Sequence, residues 1–180
     1  GYDAVSDNIT PAQIDKMKEL LHASLQQGSL GFSSSHIETH KDHEGEDVPS
    51  LHSSHEELIA LASIVKDYEG TMVGYVHTGR QLDETAMKKM ADFSLAANRT
   101  YAWPLLTPGH ATVEFARNKM SGTDYARKLG AELRVQSPSY PLRSYINMKT
   151  GLSYDQFPGA WNSVYRGTHE ERVARFKDQS

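Results

Sequence analysis

The chain has no cysteine. Disulfides, thiolate nucleophiles and cysteine-ligated zinc are thereby excluded, while the redox compartment stays open because a cysteine-free chain folds in either. It also lacks a positive excess: 19 Lys and Arg stand against 23 Asp and Glu, for a formal net charge of -4. That balance argues against nucleic acid or an anionic membrane as partner. No apolar run approaches the roughly 20 residues that a spanning helix needs, and Gly1-Tyr2-Asp3-Ala4 has neither the basic nor the apolar part of a secretory signal. There is no Walker loop and no G-x-G-x-x-G fingerprint, and Ser33-Ser34-Ser35 is not framed by a G-x-S-x-G elbow. With 38% hydrophobic and 23% charged residues over 180 positions, the composition is that of a globular protein. A cytoplasmic location is the expectation.

What the sequence does have is alternation. Apolar segments at Ser29–Ser33, Thr71–Val76, Tyr101–Leu106 and Glu132–Gln136 read as strands, with amphipathic helix patterns between them. The first helix pattern opens with Thr10-Pro11-Ala12-Gln13, an N-cap with Pro at the first position, and runs through Ile14, Met17, Leu21 and Leu25 to Gly28. A second starts at Ser53 or Ser54 and carries Leu58, Leu61, Ala62 and Val65 inward. A third covers about 83–97 with Met87, Met90, Ala91 and Ser94 on one face. A fourth, about 111–129, is interrupted by Gly122, where Gly costs about 1 kcal/mol relative to Ala. A last short helix begins at the capping box Thr168-His169-Glu170-Glu171, with Val173 and Phe176 facing inward.

Regular strand–helix alternation predicts an α/β fold with adjacent parallel strands in sequence order. Four such units are half of the eight that close a barrel. Residues 1–136 are expected to hold the repeats and 137–180 an irregular segment covering the sheet, the whole forming a single partial barrel domain of 1–180. The open sheet edges are candidates for self-association.

Histidine is the main candidate for metal binding or proton transfer near neutral pH. Of nine histidines, five fall between His36 and His55, in a polar stretch whose spacings match no closed zinc template. His36 and His40 would chelate as a pair only if helical; a solvated polar loop is the plainer reading. His77 directly follows the second strand, at the end where parallel α/β folds gather their chemistry, and Arg80 nearby could take an anionic substrate group. His77 is read either as a metal ligand or as a structural histidine bonded to a loop. His110, after the third strand, is more simply structural.

The segment from Met17 through Gly28-Ser29-Leu30-Gly31-Phe32-Ser33-Ser34-Ser35 resembles the amidohydrolase superfamily, and within it the N-acyl-D-amino-acid deacylase branch. Thr39–Asp42, Val48–Ser50, Glu56–Ala62, Trp103–Thr107 and Phe157–Trp161 extend the likeness. The resemblance implies a (β/α)₈ barrel, of which this chain is an internal piece starting near the fourth strand. It implies zinc-activated water hydrolysing a non-peptide carbon–nitrogen bond, with an N-acyl amino acid or similar small amide as substrate. His77 falls at the family's fifth-strand metal ligand; the sixth-strand position reads Ala102-Trp103-Pro104-Leu105, without a histidine, and the first-strand His-x-His pair is not in this sequence. No acid–base carboxylate is identified, and the chain by itself is expected to bind no zinc tightly and to have little activity. The rival reading is a non-catalytic binding or scaffold protein with a histidine-rich loop.

Overall fold

Local capping starts each of the well-marked helices. In the computed structural model, which describes residues 9–37, 40, 42, 46–76, 82–104, 113–137, 164 and 167–178, the Gln13 amide donates to Thr10 Oγ1 at 3.3 Å. The Gln13 side chain accepts the Thr10 amide at 2.8 Å in return, opening α1 (Pro11–Gln26). Ser54 accepts from the Glu57 amide to begin α2 (His55–Val65), and Asp83 accepts from the Ala86 amide to begin α3 (Glu84–Ala97). A fourth helix, α4, spans Val113–Lys128, and the expected capping box at Thr168 starts α5 (His169–Lys177). The strands are β1 (Gly31–Ser35), β2 (Met72–Val76), β3 (Tyr101–Trp103) and β4 (Leu133–Val135).

All four strands pair in sequence order, β1-β2-β3-β4, and every pair is parallel. The strand bounds differ from expectation: β1 is displaced by two residues, β2 starts one residue later and β4 is one residue shorter at each end, while Leu105 and Leu106, expected in β3, lie outside the described residues. Ser29 closes the turn that follows α1, its amide donating to Ser24 O at 3.2 Å, and β1 starts at Gly31. The ladder of β3 stops at Trp103 because Pro104 has no N–H to donate.

Alternation along the strands sorts the sheet into two faces. Val73, Tyr75, Tyr101, Trp103 and Leu133 are buried in one apolar cluster with Leu58, Ala62 and Val65 of α2, Met90 and Phe93 of α3, and Ala126 of α4. Helices α1 to α4 form one contiguous layer, α1 against α2, α2 against α3 and α3 against α4, with α2, α3 and α4 packed on the sheet. On the opposite face one register row reads Ser33, Gly74, Ala102 and Arg134, three small residues and a cation.

Gly122 does not interrupt α4. A Cβ there would lie 3.2 Å from Leu82 Cδ1 and 3.6 Å from Trp103 Cζ3, so its missing side chain lets the helix approach the sheet closely. In α5 the inward side chain is Arg172, with Val173 half-buried; Phe176, expected inward, is 46% exposed. The buried residue of this nine-residue helix is thus a cationic one.

By internal contacts the chain forms two compact units, 1–37 with 49–141, and 38–48 with 142–180. The strand–helix repeats belong to the first. The expected covering role of 137–180 rests on Tyr140 through Trp161, which lie outside the described residues. Among the described residues no helix is long and apolar enough to cross a membrane.

Gly31 is the tightest point of the sheet: its φ is +145°, and a built Cβ would overlap the Met72 carbonyl. Gly31→Ala should therefore destabilise the first unit by at least about 2 kcal/mol in urea denaturation, combining steric overlap with a disfavoured backbone angle. Gly70→Ala, at φ +74° in open space, should lose less.

Candidate functional site at the carboxyl end of the sheet

A parallel α/β sheet positions its chemistry where strands end and loops lead into helices. At that end the His36 amide donates to the Val76 carbonyl at 2.9 Å, extending the β1–β2 ladder one residue past Ser35. The imidazole lies edge-on to the Tyr75 ring, 5.1 Å between centroids, on the helix-facing side. Its Nδ1 is 2.7 Å from the Tyr75 hydroxyl and its Nε2 is 2.8 Å from Ser53 Oγ. Ser53 Oγ is in turn 2.8 Å from the Ser50 carbonyl, within the short 3-10 turn region (Pro49–His52) that precedes α2.

This chain joins three segments distant in sequence: the end of β1, the approach to α2 and the end of β2. Tyr75 is buried against Phe93, and burial pushes its phenol up to about 12. The Tyr101 hydroxyl donates to the Tyr75 carbonyl, and its own phenol is raised well above the ordinary range by burial. Both phenols are thus neutral near pH 7. A neutral phenol can donate to Nδ1 or accept from it, so two imidazole tautomers fit. In one, Nε2–H donates to Ser53 Oγ, whose own proton goes to Ser50 O. In the other, Nδ1–H donates to the Tyr75 oxygen and Nε2 accepts the Ser53 proton.

The other candidates are dispersed. His77 and Arg80 lie outside the described residues, as do His43 and His110. The connection that carries His77 and Arg80 re-enters the described structure at Leu82, whose amide donates to Asn118 Oδ1 at 2.8 Å. His36 follows the end of β1, and neither it nor His40 is in a helix. His55 starts α2 and has Nε2 3.6 Å from Asp92 Oδ2, a carboxylate that also holds Lys88 at 2.7 Å. Among the described residues no group of three His, Asp or Glu could hold a metal ion. With both its ring nitrogens within hydrogen-bond distance of protein groups, His36 is not set up as a ligand. The described residues therefore do not make a zinc site.

A polar cavity of about 340 Å³ opens at the opposite, amino end of the strands, lined by residues including Thr71, Asn98, Arg99, Thr100 and Glu132. Its groups are committed to holding chain ends. Arg99 donates to the carbonyls of Lys66 and Tyr68 at 2.9 and 3.0 Å, and Thr100 donates to Glu132 at 2.8 Å. We read it as a stabilising end.

Of the two candidate caps for α2, Ser54 is the cap and Ser53 is left to meet His36. The partners of His36 stand 17 and 39 positions away, beyond any local spacing signal. No family model matches the chain, and comparison with curated proteins and with solved structures finds no match.

The raised phenol has a consequence at alkaline pH. A free tyrosine ionises near 10, and Tyr75 in the fold at about 12. Its contribution to stability is complete below about pH 10 and is lost as the pH rises towards 12. Ultraviolet titration of phenolate should show Tyr75 among the late-ionising tyrosines, and Tyr75→Phe should remove one such phenol.

Proposed function

We propose that the chain is the central part of a (β/α)₈ barrel hydrolase acting on a non-peptide carbon–nitrogen bond, with an N-acyl amino acid or a similar small amide as substrate. The observation that carries the barrel is one-sided winding. The strands run in sequence order with their helices in a single layer, whereas doubly wound sheets reverse order and cover both faces. A sheet wound on one side turns its other face to a barrel interior. Here that face carries the mid-strand row Ser33, Gly74, Ala102 and Arg134, three of them small.

The reaction class rests on the resemblance to the deacylase branch, strongest over residues 17–35. Zinc would be held by residues beyond those described, His77 among them, and Arg80 would meet an anionic group of the substrate. No catalytic step is assigned to the metal, because the described residues do not compose its site.

A second reading, a non-catalytic binding or scaffold protein, is favoured by one observation. His36 has both ring nitrogens bonded within the protein, as a structural histidine would.

The two readings separate in the complete open reading frame. The hydrolase reading expects a His-x-His strand upstream, zinc in the full-length protein and turnover of N-acyl amino acids that is abolished by His77→Ala. The same substitution in the 180-residue chain should change its stability little, since one imidazole alone binds zinc weakly. Full activity of the His77→Ala full-length enzyme would remove His77 from the site. Stoichiometric zinc retained by the chain after dialysis would overturn its reading as an incomplete piece.

A further inference from the structure

We infer that Ser53, His36 and Tyr75 form a nucleophile–base–orienting set that accepts an acyl group from a small uncharged carboxylic ester, independently of any metal. Ser53 Oγ and His36 Nε2 stand 2.8 Å apart, and Tyr75 Oη lies 2.7 Å from the far ring nitrogen. A nucleophile within hydrogen-bond reach of a base, and a third group bonded to the base, is the arrangement that activates serine hydroxyls on unrelated folds. The set stands at the carboxyl end of a parallel sheet, and Ser53 is only half-buried, so an acyl donor can reach it.

Turning the Ser53 hydroxyl from Ser50 O to Nε2 sets the reactive tautomer, with the imidazole proton on Nδ1 facing the Tyr75 oxygen. Ser53 Oγ then bonds to the ester carbonyl carbon while its proton passes to Nε2. The ester C–O bond breaks, and the alkoxide leaves as the alcohol with that proton. Water next attacks the acyl-serine, gives one proton through Nε2 back to Ser53 Oγ, and releases the carboxylic acid. The exposed carboxylate of Glu56 stands in the first turn of α2, three residues after Ser53. The same carboxylate disfavours anionic esters, which is why the substrate is placed among uncharged ones.

The test uses the intact 180-residue chain in EDTA with a fluorophosphonate probe. One phosphonate should attach to Ser53, located by peptide mass, and none should attach in urea. Ser53→Ala should abolish the label, and His36→Gln should slow it about 100-fold or more. Tyr75→Phe should lower the maximal labelling rate without shifting the half-saturating probe concentration. Absence of label on Ser53 in the native chain overturns the proposal, and this arm does not depend on any variant folding. Equal labelling in urea, or in a folded His36→Gln chain, overturns it as well. EDTA keeps the outcome separate from the zinc-dependent hydrolase reading, which it neither supports nor removes.

Discussion

Phe93 is the contact on which the rest of the first unit depends. Its ring meets Phe32 of β1, Tyr75 of β2 and Tyr101 of β3 at 5.9, 6.0 and 5.9 Å between centroids, so one side chain of α3 touches three strands. Burying a large apolar side chain contributes about 1.5–3 kcal/mol, and well-oriented ring pairs add about 0.5–1.5 kcal/mol each. Phe93 is 2% exposed and Tyr101 fully buried. This cluster requires β1, β2 and β3 to present the same face to one helix, and that requirement makes the helix layer one-sided.

The two ends of the sheet use polar groups differently. At the amino end, buried Ser94 donates to the Arg99 carbonyl at 2.8 Å and accepts the Glu132 amide at 3.2 Å, tying the end of α3 to the start of β4. Arg99 and Thr71 likewise bond carbonyls left over at the end of α2. These bonds are local in space and satisfy backbone groups. At the carboxyl end the bonds join side chains to side chains, Tyr75 to His36 to Ser53, and leave one hydroxyl half-exposed. The same end holds the connection after β2, anchored where Asn118 bonds Leu82 in both directions.

Much of the fold was legible residue by residue. Thr10 and Gln13, Asp83, and Thr168 with Glu171 are reciprocal or single caps whose effect is complete within four residues, so sequence order suffices to locate them. The stripe Leu58, Leu61, Ala62 and Val65 is fully buried as its spacing requires. Gly122 was misleading because its propensity speaks of an isolated helix. What matters is that Leu82 of the connection before α3, Met87 of α3 and Trp103 of β3 crowd the place of its absent Cβ. Phe176 misled for the opposite reason: hydrophobicity states a preference, and the buried position of α5 is taken by Arg172.

The sequence by itself determined the helices, the strands and their parallel order, because caps, periodicity and the handedness of crossovers act through near neighbours. Only the tertiary structure decided which polar side chains meet. His36 was one of five histidines in a polar stretch, with nothing nearby to mark it. It becomes distinctive because the β1–β2 register sets it beside Tyr75 and the turn before α2 brings Ser53 to its other nitrogen. Those contacts depend on strand register and helix packing, which sum over the whole unit. No spacing within the chain encodes them.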